Sequence, residues 1–168
     1  QTDVFNAPVK INFGLAHKNN PPAFGQAAEQ RIDNFSRFFL AYVTGNADHQ
    51  IAFAQMISTT LGIPMDMVHV VSTQDTDVTP FGTGAYASRQ TYAAGFSIRQ
   101  TAELLKRKVL EYAQEYTRMP VYNLDIIDGN IVRTTDNRIL LSLGELATEA
   151  LYSLDHSEHF AAESTYQI

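Results

Sequence analysis

Cysteine is absent from the 168 residues, which excludes disulfides, iron–sulfur ligation and a cysteine nucleophile. That absence suits a reducing compartment. Clustered cations are missing as well: 12 Lys and Arg stand against 18 Asp and Glu, a formal charge of −6, with no basic run. Nucleic-acid binding needs cations grouped against phosphates, so that class of partner is set aside. No apolar stretch approaches the ~20 residues that cross a bilayer. The opening Gln1-Thr2-Asp3-Val4-Phe5 has neither the basic nor the apolar region of a secretory signal. An initiator methionine is also lacking, and the chain is expected to be processed, trimmed or a fragment. A soluble cytoplasmic protein is the expectation, with neither nucleic acid nor membrane as partner.

What is present alternates between strand and helix patterns. Residues 9–16 place Val9, Ile11, Phe13 and Leu15 at period 2, a half-buried strand, and Asn19-Asn20-Pro21-Pro22 ends it. Residues 28–33 and 37–44 read as a hairpin across Asn34-Phe35-Ser36. Residues 50–61 switch to helical spacing, with Ile51, Ala54, Ile57 and Leu61 expected on one face and Gly62 then Pro64 as the stop. A short β-branched strand at 68–72 precedes a Thr/Asp/Gly/Pro loop at 73–84. A long helix is expected at about 88–116, its stripe being Ile98, Ala102, Leu105, Val109 and Tyr112 or Ala113. Its Ile98, Leu105 and Val109 face should pack on the strands at 38–43 and 68–72. Gly95 inside that helix costs ~1 kcal/mol of propensity and so marks close packing.

Further on, Asp128-Gly129 is a strong hairpin signal within 124–132, and Asp136-Asn137 closes a second turn. Ser142-Leu143-Gly144-Glu145 has capping-box spacing and opens a helix to about Ser153. Residues 160–166 form a last strand at a sheet edge. The expected class is α+β, with mixed sheet hairpins packed against two or three helices, one of them long. The whole of 1–168 is expected to form a single domain.

Chemistry concentrates in the loop that joins the 68–72 strand to the long helix. Ser72-Thr73-Gln74-Asp75-Thr76-Asp77-Val78-Thr79-Pro80-Phe81 leads through Gly82-Thr83-Gly84-Ala85-Tyr86-Ala87 to Ser88-Arg89-Gln90-Thr91. Its end should expose backbone N–H groups from 84 to 87 at a helix N-terminus, where the dipole favours an anion. Ser88 can cap the helix or donate to a phosphate oxygen, Arg89 can add a charge-assisted pair, and Gln90 can donate and accept. An ordinary capped helix with a surface arginine is the competing account of the same residues.

This stretch resembles the segment of xanthine dehydrogenase and related molybdenum hydroxylases that precedes a long helix lining the molybdopterin site. The similarity continues through Phe53-Ala54-Gln55-Met56 with Leu61-Gly62-Ile63-Pro64, then Leu124-Asp125-Ile126 with Asp128-Gly129, and Ala162-Glu163-Ser164-Thr165. It runs from about Ile51 to Ile168. Carried across residue by residue, it implies cofactor contacts at Ala85, Ala87, Ser88, Arg89 and Gln90, with no protein ligand to the metal and no catalytic residue in this chain. It further implies oxidation of a purine or related N-heterocycle, with electrons leaving through iron–sulfur and FAD subunits or domains.

The departures carry equal information. The family has a Gly-Gln-Gly loop before its first helix, whereas this chain reads Thr44-Gly45-Asn46-Ala47-Asp48-His49-Gln50-Ile51, several residues shorter. A stretch missing between two of the residues 45–50 is favoured over a true deletion. By the family's pattern the general-base glutamate lies beyond Ile168, and the Gly-Gly-Phe-Gly and arginine segments of the pocket lie before residue 1. The remaining segments of the molybdenum subunit are therefore expected partners, and the chain alone is expected to hold no molybdopterin and to be inactive. A non-catalytic orphan binding or assembly domain is the rival reading. Weaker candidates are a metal at His156, Glu158 and His159, and an Asp75/Asp77 carboxylate pair. His17 and Lys18 follow the first strand, where the family lines its substrate pocket, and are left unassigned.

Overall fold

The computed structural model describes residues 6–17, 35–43, 49–72, 89–152 and 160–167. Four strands form a mixed sheet in the order β3-β2-β1-β7: β1 (Asn6–His17), β2 (Phe35–Val43), β3 (Val68–Ser72) and β7 (Phe160–Gln167). β1 runs antiparallel to both β2 and β7, while β2 and β3 are parallel. A second, antiparallel sheet joins β4 (Leu124–Ile127), β5 (Asn130–Arg133) and β6 (Arg138–Ser142). The helices are α1 (Gln50–Leu61), α2 (Arg89–Thr117) and α3 (Leu143–Tyr152). The class is α+β, as the sequence pattern implies.

One expected turn is overturned. Phe35 and Ser36 lie inside β2, paired with His17 and Ala16 of β1, so they continue a strand. Residues 28–33, the expected first arm of that hairpin, lie outside the described residues. The β-prone Phe38-Phe39 run extends backwards because the adjacent β1 offers a ladder for every residue down to Phe35.

α1 is bounded as its sequence dictates. Gly62 takes φ +78°, and the N–H groups of Gly62 and Ile63 both donate to the Ser58 carbonyl, at 2.9 and 3.1 Å. The buried face, however, is Phe53, Ala54, Ile57 and Leu61, while Ile51 is 72% exposed. At 100° per residue Ile51 points roughly 100° away from the centre of that face, and Phe53 falls within it.

α2 supplies the largest share of the core. Ile98, Ala102, Leu105, Val109 and Ala113 are all fully buried, and Tyr112 sets its ring edge-on to Phe160 at 5.3 Å. The helix lies over β1 and β7, whereas α1 covers β3. The expectation that α2 packs on the β2 and β3 strands is therefore corrected: both belong to the same sheet, but the β2–α1–β3 crossover already occupies that half. Thr101 Oγ1 is 2.7 Å from Ser164 Oγ, and Ser164 Oγ donates to the Ser97 carbonyl at 3.1 Å, which pairs the few polar groups under the helix.

The β4–β5 turn places Asp128 at φ +49° and Gly129 at φ +72°, the two left-handed residues of a tight hairpin. Asn137, at φ +54°, serves the β5–β6 turn. Ser142 and Glu145 form the expected capping box: the Glu145 N–H donates to Ser142 Oγ at 3.2 Å, and the Ser142 N–H donates to Glu145 Oε2 at 2.7 Å. Among the described residues no helix is long and apolar enough to cross a membrane.

Candidate cofactor-binding edge

The directions of the elements bring two helix starts to one edge of the sheet. Val43 and Ser72 pair with each other at the ends of β2 and β3, and Val43 also pairs with Val9 near the start of β1. α2 runs antiparallel to β7, since Thr101 contacts Ser164 while Lys108 Nζ donates to the Ala161 carbonyl at 2.7 Å. Its N-terminus therefore points to the edge where β2 and β3 end.

α1 points the same way. At its far end Gly62 abuts Ile126, and α2 reaches the same strand through the ion pair of Lys106 with Asp125 at 2.6 Å. Midway, Gly95 of α2 faces Met56 of α1, where an added Cβ would meet the sulfur at 3.1 Å. This is the close packing expected of Gly95. α1 starts at Gln50, six positions before Met56, and α2 starts at Arg89, six before Gly95. At 1.5 Å per residue each first turn lies roughly 9 Å from the shared contact, so the two N-termini are level. The connections 44–48 and 73–88 both leave from this edge.

The electrostatics suit an anionic ligand. Neither α1 nor α2 carries an acidic residue in its first turn. His49, at the start of α1, lies parallel to the Phe53 ring at 5.9 Å, and its buried Nδ1 has no hydrogen-bond partner. A pterin bearing phosphate needs just such groups: main-chain donors at helix starts and polar atoms awaiting a partner. His49 escaped the sequence analysis, because a lone histidine before a helix gives no signal of burial.

Of the five residues singled out, Arg89 and Gln90 form the first turn of α2, which begins one residue after Ser88. Ala85, Ala87 and Ser88 lie outside the described residues, as do the 84–87 N–H groups, Asp75, Asp77, His156, Glu158, His159 and Lys18. So do residues 45–48 of the 45–50 stretch in which missing chain is expected. His17 ends β1, paired with Phe35. Among the described residues no cluster of His, Cys, Asp or Glu could hold a metal ion.

The molybdopterin cofactor-binding domain family matches residues 45–168, about three quarters of the chain and both loops that leave this edge. The chain belongs to that family. The xanthine dehydrogenase molybdenum-binding subunit of Escherichia coli O157:H7 is 43% identical over 114 residues, 67% of this chain and 15% of that subunit. The carbon monoxide dehydrogenase large chain of Hydrogenophaga pseudoflava is 35% identical over 111 residues, 66% of this chain and 14% of its own. The fold is also found in reconstituted CO dehydrogenase from Oligotropha carboxidovorans, with a TM-score of 0.71 at 21% identity over 98% of this chain and 18% of that one. Quinoline 2-oxidoreductase from Pseudomonas putida 86 gives 0.68 at 19% identity over 96% of this chain. The chain thus spans about 15% of the relative most extensively matched above, and its fold likeness takes in β1 and β2, where the motif resemblance fades.

Proposed function

We propose that this chain is the cofactor-cradling portion of a cytoplasmic molybdenum hydroxylase that oxidises a purine or related N-heterocycle. The convergence of two level helix N-termini, with no acidic residue in either first turn, on the edge from which both family loops depart carries the reading. The xanthine dehydrogenase relative, more similar than the carbon monoxide dehydrogenase, favours the heterocycle. A single domain over 1–168 supplies the cradle, and the rest of the molybdenum subunit, with iron–sulfur and FAD partners, supplies what remains.

The cofactor, when bound, supplies the redox chemistry that hydroxylates an electron-poor carbon. This chain's residues bind and orient. Arg89 brings a fixed positive charge and a forked donor set to a phosphate, and Ser88 adds a hydroxyl donor. Gln90, able to donate and accept, meets the pterin edge, and Ala85 and Ala87 leave the backbone open to close approach. The general base comes from another segment, so the isolated chain turns nothing over.

Molybdenum and pterin content of the protein purified from its native host tests the reading. Metal and pterin near one equivalent are expected. Arg89→Ala should lower pterin affinity about 10–100-fold, the worth of a charge-assisted hydrogen bond of ~1.5–3 kcal/mol. A host-purified protein without either component would instead make this a cofactor-free assembly domain.

A further inference from the structure

The Ala162-Glu163-Ser164-Thr165 motif lies on β7, apart from both loops that leave the cofactor edge. Its serine reaches into α2. Ser164 Oγ is 2.7 Å from Thr101 Oγ1 and donates to the Ser97 carbonyl at 3.1 Å. Those two partners are one helical turn apart, so the Ser164 hydroxyl sits in a notch of the helix. Thr101 Oγ1 also lies 2.7 Å from the Ser97 carbonyl and 3.3 Å from the Val9 carbonyl of β1. Ser97 and Thr101 are both fully buried, so no water competes for these bonds.

The cluster marks one row of the sheet. Ser164 pairs with Val9, Val9 with Val43, and Val43 with Ser72. Val43 and Ser72 end β2 and β3, so α2 is tied to the row from which the connections 44–48 and 73–88 leave. From Ser97 the helix runs eight positions back to Arg89, roughly 12 Å at 1.5 Å per residue.

Other contacts set that distance less sharply. Burial of Ile98, Ala102, Leu105 and Val109 is strong but non-directional. The ties of Lys106 to Asp125 and of Lys108 to the Ala161 carbonyl use long, flexible side chains and lie farther from Arg89. Short hydroxyl bonds weaken steeply when bent or stretched, so the Ser164 notch resists sliding along the helix axis.

We propose that Ser164 is a positioning residue for the cofactor site: through Thr101 and Ser97 it fixes the axial seat of α2, and with it the place of Arg89 and Gln90. The inference rests on the functional reading above. Ser164→Ala isolates the effect, because Thr101 Oγ1 keeps the Ser97 carbonyl as its acceptor and no buried donor is orphaned.

The test uses protein purified from its native host, with pterin affinity read from retention on dilution. Ser164→Ala should weaken pterin binding about 10-fold while moving Tm by no more than about 4 °C. Ser164→Thr should restore it. Because Ser164 acts through the seat of Arg89, adding Ser164→Ala to Arg89→Ala should change affinity less than about 2-fold. Leu146→Ala, in the fully buried face of α3, should lower Tm further yet leave pterin affinity unchanged. A second readout needs no cofactor. Cysteines at Met56 and Gly95, where an added Cβ meets the Met56 sulfur at 3.1 Å, should form a disulfide under mild oxidation, followed by peptide mass spectrometry. Ser164→Ala should slow that bond about 10-fold, since disulfide geometry tolerates little displacement. Unchanged cross-linking, wild-type pterin affinity in Ser164→Ala, or a full further loss on top of Arg89→Ala would overturn the proposal. A wild-type protein without pterin would sink the functional reading, and the cross-link would then decide alone whether Ser164 seats the helix.

Discussion

Truncating Leu105 to alanine tests the placement of α2 most directly. Leu105 is fully buried and lies on the helix face formed with Ile98 and Val109. The lost side-chain carbons are worth about 2.4 kcal/mol in transfer free energy at ~0.8 kcal/mol per methylene. The cavity adds a further term of ~24 cal/mol per Å³ that fails to close. α2 is held on three sides, by the sheet through Thr101 and Lys108, by α1 at Gly95 and by β4 through Lys106, so collapse is restricted. The expected cost is therefore in the upper part of the usual range, about 3–5 kcal/mol. Urea unfolding followed by circular dichroism should show a lower midpoint at unchanged slope. A fall in Tm of roughly 10 °C should accompany it. The neighbouring Leu104, 39% exposed, is the internal control, and its alanine variant should cost under ~1 kcal/mol. Equal effects at the two positions would show that the helix is rotated from the face described.

Gly62→Ala places a Cβ 1.9 Å from the Ile126 carbonyl oxygen at φ +78°, and should cost more than ~2 kcal/mol. Gly129→Ala, where the nearest atom would be Met67 Sδ at 3.4 Å, should cost only the ~1 kcal/mol of the left-handed conformation; the same denaturation assay separates them, and similar values would contradict the close approach at Gly62. Ser142→Ala removes the cap of α3 and should cost about 0.5–2 kcal/mol, with a Thr substitution recovering most of it. The hydrogen bond from Arg133 holds the Asp136 carboxyl at about 2, below its ordinary value. Because the folded value is depressed, the pair's stabilisation is present above the unfolded carboxylate range and is lost as pH falls towards 2. Carbon-detected titration should find Asp136 ionised at pH 3, and Arg133→Gln should move it back up.

Local signals were legible where backbone chemistry alone decides the outcome. The stop at Gly62, the Asp128-Gly129 turn and the Ser142/Glu145 box each need only residues within a few positions of one another. Long-range pairing was not legible in the same way. Nothing near Phe35 reveals that β1 will offer it a ladder, so Asn34-Phe35-Ser36 looks like a turn. The choice of Phe53 over Ile51 for the buried face depends on where the sheet stands, since both fit a helical period. The 73–88 segment was recognisable as a family motif, but the levelling of the two helix starts depends on Gly95 meeting Met56 across 39 positions of sequence.

Main-chain bonds tie the far end of α1 to two other parts of the chain. The Gly129 N–H donates to the Gly62 carbonyl at 3.1 Å, and the Leu143 N–H donates to the Gly129 carbonyl at 3.0 Å. A helix clamped at its distal tip behaves as a cantilever: its free tip is positioned from behind, by a rigid rod about 18 Å long. A change of length just ahead of Gln50 should therefore leave the tip where it is, because the clamp at Gly62 lies at the other end of the rod.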